Sequence, residues 1–262
     1  MYSINDICVE LLNPEEVKNF IKNHGIFACQ CYCTPEKFAE KVGMSCLKEG
    51  HTSGSRADMF KFRILCPRFT ADQVMRHSVG TAINCQSQRY VDMDERFEIY
   101  APPQVMNDET LKQVYQAYED KCREQYHDLR SMMDEKGITG EQANDLMRTM
   151  LPIGVPCNLT MGFTVEALIH FMHKRLCARA DAPIRKVAQL MKEVVLAVEP
   201  RYEELLVPQC VDLMYCPEKH SCGRCPNKSE LKELIERGKN CCKGKHDLTT
   251  PLGMPIDLNK QD

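Results

Sequence analysis

Residues 73–90 (QVMRHSVGTAINCQSQRY) gather two fixed cations, Arg76 and Arg89, an imidazole, His77, and the hydroxyls of Ser78, Thr81 and Ser87. A guanidinium donates hydrogen bonds in a planar fork that matches oxyanions, and serine fits where bulk is excluded, so the set suits a phosphate or a nucleobase. A solvated turn carrying surface arginines would account for the same residues. Cys85 shares the segment with Arg76 and His77, neighbours that favour a thiolate, and thiol attack on a pyrimidine ring is a chemistry open to it. An inert packing thiol is the plainer reading. Ser87 has no base beside it in sequence and reads as a positioning hydroxyl rather than a nucleophile.

Cys210, Cys216, Cys222 and Cys225 form a second group, with His220, Cys241, Cys242 and His246 nearby. Four thiolates that include a Cys-x-x-Cys knuckle are a ligand set for tetrahedral zinc or for an iron–sulfur cluster. Free surface thiols are the alternative, although a segment so poor in apolar residues needs a ligand to fold. Cys29, Cys31 and Cys33 alternate, so on a strand all three would face one side, and burial of that side is expected.

Elements must hold these groups in place. Residues 58–66 (DMFKFRILC) alternate in part like a half-buried strand, and residues 1–100 read as mixed α and β. From Asp108, the spacing of Leu111, Tyr115, Tyr118, Cys122, Leu129 and Met133 predicts a long amphipathic helix that Gly137 stops. Thr139 and Gln142 read as a capping box for a helix running to Met150. A third helix is expected over residues 164–175. Asp181 caps a fourth, with Pro183 in its first turn and Ile184, Val187, Leu190, Met191, Val194 and Val198 near one face. The fold class is α+β with a helical carboxy-terminal half. Composition shifts near Pro208, dividing the chain into a main domain, residues 1–207, and a cysteine-rich extension, residues 208–262.

A chain of 262 residues, 43% hydrophobic, supplies a real core and argues against disorder. Lys and Arg total 34 against 37 Asp and Glu, so there is no global basic field to capture nucleic acid, and any anion site is local. No stretch reaches the roughly 18 apolar residues of a membrane span, and residues 1–16 lack a basic segment followed by an apolar run. Cytoplasmic residence is expected, and there the 16 cysteines would be reduced thiols or metal ligands rather than a disulfide framework.

The order Arg76-His77, then Ser87, Arg89 and Tyr90, resembles the signature of the flavin-dependent thymidylate synthase family. Residues 50–53 (GHTS) and residues 151–171 (LPIGVPCNLTMGFTVEALIHF) resemble two further blocks, and the likeness covers residues 51–207. It implies an α+β domain with a central antiparallel sheet. It also implies reductive methylation of dUMP, with methylenetetrahydrofolate as carbon donor, FAD as cofactor and NADPH as reductant, in a homotetramer whose sites form between subunits. By position, it assigns Gln73, Arg76, Ser87, Arg89 and Arg175 to the nucleotide, the last three with a catalytic role, and Ser53, His77 and Arg179 to the flavin.

The sequence departs from the family at Ser78, where the signature has a second arginine, and at Cys85, where it has a glutamate. Asn158 replaces a phosphate-binding arginine, and Thr164 and Glu166 replace an asparagine and an arginine expected at the flavin. Glu166 would set a negative charge beside an anionic cofactor unless a cation such as Lys174 or Arg179 moves in. Two other readings stay open: a relative acting on another pyrimidine nucleotide or one-carbon donor, with a zinc or iron–sulfur centre, and a noncatalytic nucleotide- or metal-binding protein.

Overall fold

The computed structural model describes residues 6–241; Cys242 and His246 lie outside the described residues, as does the Cys241 side chain. Strands β1 (Cys8–Leu11), β2 (Met59–Pro67), β3 (Thr81–Cys85) and β4 (Pro156–Thr164) form one antiparallel sheet in the order β1-β2-β4-β3. The helices are α1 (Pro14–Val17), α2 (Phe20–Cys31), α3 (Ala39–Lys48), α4 (Arg68–Met75), α5 (Pro103–Met106), α6 (Glu109–Glu135), α7 (Gly140–Met147), α8 (Val165–Arg175), α9 (Ala182–Leu196), α10 (Gln209–Asp212) and α11 (Lys228–Cys241).

Alternation decides the faces of the sheet. Phe60, Phe62 and Ile64 of β2 and Leu159, Met161 and Phe163 of β4 are buried in one core with Leu168 and Phe171 of α8 and Ile184, Val187 and Met191 of α9. The opposite face carries exposed Lys61, Arg63, Asn158 and Thr160, with ion pairs from Arg63 to Glu10 and from Lys61 to Glu16. An antiparallel sheet tolerates this arrangement, with one face dry and the other wet. A second, smaller core joins Met93, Phe97 and Ile99 to Tyr126 of α6, Met147 of α7 and Val155.

The long helix forms as its spacing predicts: the Asp108 side chain accepts from the Thr110 and Leu111 N–H groups, and Gly137 takes a φ of 73° just past the end. The caps of α8 and α9 also rest on local chemistry. Thr164 accepts from Ala167 N–H, and Asp181 accepts from Ala182 N–H. Two expectations fail. Cys29 and Cys31 lie on helix α2, and Cys33 follows it at φ 50°, so the three cysteines do not share a strand face. The stripe of Phe20, Ile21, His24, Gly25, Ala28 and Cys29 has helical spacing and buries only Cys29 of the three. Thr139 makes no side-chain capping bond, and α7 ends at Met147, giving way to a 3-10 turn over Arg148–Met150.

Helices α2 and α3 touch backbone to backbone at a pair of glycines. A Cβ on Gly25 would lie 1.7 Å from the Ala39 carbonyl oxygen, and one on Gly43 would lie 2.1 Å from that of Ile21. Either methyl must force the helices apart. Gly43→Ala should therefore cost about 1–3 kcal/mol of stability, as overpacking of a filled core does. Urea unfolding measures it, and an unchanged midpoint would show that the two helices separate freely.

Candidate functional site

The turn between α4 and β3 carries Arg76, His77 and Ser78 and is fastened at both ends. Thr81 Oγ1 donates to the His77 carbonyl at 2.9 Å, and the Thr164 N–H donates to the Gly80 carbonyl at 2.9 Å. Gly80 has φ +70°, and a Cβ there would sit 2.8 Å from Thr164 Oγ1, so both conformation and space require glycine. The turn is thereby held against the start of α8.

Farther along α8 the helix receives the imidazole. His77 packs edge-on to Phe171 with ring centroids 4.9 Å apart, and Arg175 Nε donates to His77 Nε2 at 2.9 Å. Burial, then the Arg175 charge, then His170 push the His77 pKa down to about 4. At neutral pH the ring is uncharged, with Nε2 accepting and the proton on Nδ1. Burial and the Arg76 charge lower the Arg175 pKa as well.

His77 lines two cavities. One, of about 650 Å3, is bounded by Arg56, Arg76, His77, Thr164, Glu166 and His170, among others. The other, of about 450 Å3, is bounded by His77, Arg175, Arg179 and the cysteine-rich segment. In the first cavity, Arg56 Nε reaches a Glu166 carboxylate oxygen at 2.7 Å, which lowers the Glu166 pKa. Arg56 is thus the cation that answers Glu166. Lys174 and Arg179, the cations expected in that role, instead donate to Gln209 Oε1 and to the His220 carbonyl.

The residues picked out in sequence divide into separate groups. Arg76, His77 and Arg175 come together. Ser87 and Arg89 lie beyond β3, where Arg89 Nε and NH2 bind Asp145 and Glu141 of α7 at 2.9 and 2.5 Å. Ser87 Oγ accepts from the Arg89 N–H. Asn158 holds Gln86 Oε1 at 2.7 Å through its amide. Gln73 of α4 buries its Oε1 with no hydrogen-bond partner among the described residues. Ser53 opens the 3-10 turn Ser53–Ala57, which brings Arg56 to the first cavity, but it lines neither cavity itself. Arg179 lines the thiol-rich cavity rather than the one beside Glu166.

Cys85 meets different neighbours from those expected. Its sulfur lies 3.3 Å from Cys157 Sγ and 3.3 Å from Arg68 NH1, so Arg68, not Arg76 or His77, is the cation in contact with it. Burial pushes the Cys157 thiol up to about 12. Among the described residues, no group of three or more His, Cys, Asp or Glu side chains is placed to hold a metal ion. Cys210, Cys216, Cys222 and Cys225, expected as ligands for zinc or an iron–sulfur cluster, all line the second cavity; Cys216 and Cys225 are buried, whereas Cys222 is exposed.

The folded protein holds the His77 proton less tightly than an unfolded chain, whose histidine titrates near 6.5. Its contribution to stability is therefore present above that pH and is lost as pH falls through the window from about 6.5 to about 4. His77→Gln, which cannot gain the charge, should lose less stability than the parent across the window when the unfolding midpoint is followed against pH. Parallel curves would show that His77 is not held neutral.

Residues 20–201 match the family model described as thymidylate synthase complementing protein. The flavin-dependent thymidylate synthase of Nitratidesulfovibrio vulgaris is 30% identical over 190 residues, which cover 71% of this chain and 77% of that one. The enzyme of the same name from Pyrococcus horikoshii is 33% identical over 205 residues, 74% and 78% of the two chains. The crystal structure of a UMP/dUMP methylase PolB from Streptomyces cacaoi bound with 5-Br dUMP has a similar fold, with a TM-score of 0.58 at 19% identity over 78% of this chain and 95% of that one. With strands β2, β3 and β4, helix α8 and the Arg76–His77 turn inside the matched residues, the chain belongs to the thymidylate synthase complementing protein family.

Proposed function

We propose that the chain is a flavin-dependent thymidylate synthase: it methylates dUMP reductively, taking the carbon from methylenetetrahydrofolate, with FAD as cofactor and NADPH as reductant. The observation that carries this reading is the meeting of Arg76, His77 and Arg175, from a turn and a helix far apart in sequence, with Arg76 and His77 lining a cavity of about 650 Å3 and Arg175 the neighbouring one. Family membership and the dUMP chemistry in the PolB neighbour's name point the same way.

The cavity fits a flavin in three respects. Its volume lies within the roughly 300–1,000 Å3 of ligand sites. Arg56 cancels the Glu166 charge that would repel an anionic cofactor. Imidazoles from His77 and His170 and the exposed Arg76 supply polar contacts. When bound, reduced flavin supplies the hydride. The chain's own residues bind and orient: Arg76 makes no ion pair among the described residues and serves the phosphate. Arg175, steered by neutral His77, polarises a pyrimidine carbonyl as charge develops on the ring. Gln73, whose buried Oε1 has no partner among the described residues, is assigned to the base by its position in the motif.

Ser87 and Arg89 belong to the same chemistry in a homotetramer, where this motif serves a neighbour's pocket. Support comes from the exposed apolar side chains Val79, Tyr90, Val114 and Tyr118, which an assembly would cover. No described helix is long and apolar enough to cross a membrane, and cytoplasmic residence goes with the reading. The family match ends at residue 201, in keeping with a main domain of residues 1–207 and an added cysteine-rich unit of residues 208–262.

A second reading, a relative that methylates another pyrimidine nucleotide, is favoured by Asn158 being tied to Gln86 where the family has a phosphate-binding arginine. Titration of the protein with FAD and then dUMP, followed by absorption, decides between them. Flavin bands that shift with dUMP support thymidylate synthesis; bands that shift only with another nucleotide support the relative; no flavin binding removes both. In the first case, Arg76→Ala should weaken dUMP at least tenfold, the loss of a charge-assisted hydrogen bond worth about 1.5–3 kcal/mol, while leaving the flavin bands in place. Unchanged dUMP affinity would take Arg76 out of the site.

A further inference from the structure

The second cavity holds more cysteine than packing requires. Cys177, one residue past the last turn of α8, faces the cysteine-rich segment, and Cys177, Cys210, Cys216, Cys222 and Cys225 all line the same space of about 450 Å3. Cys210 is hydrogen-bonded to Cys225 and lies within electrostatic reach of both Cys177 and Cys216. Cys216 and Cys225 are each 8% exposed, whereas Cys222 stands in solvent. The segment closes on itself to present them: the Cys216 N–H donates to the Pro226 carbonyl at 2.7 Å, and Cys216 pairs with Asn227 across an isolated bridge.

We propose that Cys177, Cys210, Cys216 and Cys225 ligate an iron–sulfur cluster. A single zinc ion draws four thiolates to about 2.3 Å, which sets their sulfurs roughly 4 Å apart around one point. Here the thiols border a space of about 450 Å3, far more than one ion fills, and among the described residues no three of them are placed to hold a single ion. A cluster distributes its thiolates over several iron atoms and takes a wider ring of four cysteines. Cys216-Pro217 and Cys225-Pro226 add two cysteine–proline steps of the kind that closes a ferredoxin-type run.

The surroundings suit an anionic cluster. Arg175, Arg179 and Arg224 border the cavity, and Arg179 is anchored by the His220 carbonyl. Metals bind cysteine as thiolate, so loading of the four cysteines would release their protons together. Cys177 replaces Cys222 in the ligand set, a change that sequence spacing could not suggest. The proposal is independent of the nucleotide chemistry, since cluster assembly is read without any turnover.

The test is anaerobic reconstitution of the full chain with ferrous iron and sulfide, followed by desalting. The parent should retain iron and acid-labile sulfide in equal amounts and show a broad visible band that bleaches on reduction. Cys177→Ser should lose most of the bound iron, whereas Cys222→Ser and Cys122→Ser, the latter far from the cavity in sequence, should retain it. Circular dichroism of Cys177→Ser checks that the fold persists; should that variant unfold, Cys216→Ser takes its place with the same expected loss. Iron without sulfide, stoichiometric zinc that sulfide and iron do not displace, or a Cys177→Ser protein that loads like the parent would each overturn the assignment.

Discussion

The contact from Arg175 Nε to His77 Nε2 spans 98 residues of sequence and joins the turn before β3 to the end of α8. It works only while the imidazole is neutral, because a protonated ring would present a donor to a donor. Burial first and the Arg175 charge second enforce that state. The contact also fixes the direction of the guanidinium beside His77, which lines both cavities. A neutral acceptor at this point lets two arginines, Arg76 and Arg175, stand close together without a third positive charge between them.

Elsewhere the site controls charge by pairing. Glu166 would be costly beside an anionic group, yet Arg56 meets it in a two-pronged contact, and exposed pairs of this kind leave little net field. Arg89 is similarly occupied by Glu141 and Asp145. The contrast with Arg76 matters. Among the described residues Arg76 makes no ion pair, whereas Arg89 must first give up two carboxylates before it can attract a ligand.

What could be read in advance was local. Asp108 and Asp181 cap their helices because the donors they satisfy lie within three residues. The strand from Met59 shows its alternation. Strand β4 was harder, because Cys157, Leu159, Met161 and Phe163 alternate toward the core within a segment where Gly162 and Thr164 are buried as well, and this blurs the period. Cys29, Cys31 and Cys33 alternate only because they flank the end of a helix. Arg56 and Glu166 are 110 residues apart, and nothing near either one announces the other. Cys177 is likewise separated from Cys210 by the whole of α9, and only the return of the chain past α8 sets them together.

Helix α8 therefore serves at both ends. Its first turn, with Thr164 as cap and Glu166 beside Arg56, borders one cavity, and its last turn, with His173, Lys174 and Arg175, leads into the other. The backbone dipole favours negative groups at the first end and positive ones at the last, and the side chains follow that preference. Eleven residues of helix measure about 16 Å, yet the ring of His77 borders both spaces. Burial is the first cause that keeps this ring unprotonated and the Arg175 charge the second, so an anion that pairs with Arg175 in the second cavity relieves only the smaller of the two. The acceptor that Arg175 relies on is therefore secured mainly by burial of the ring against Phe171, with charge in the second cavity a weaker lever on it.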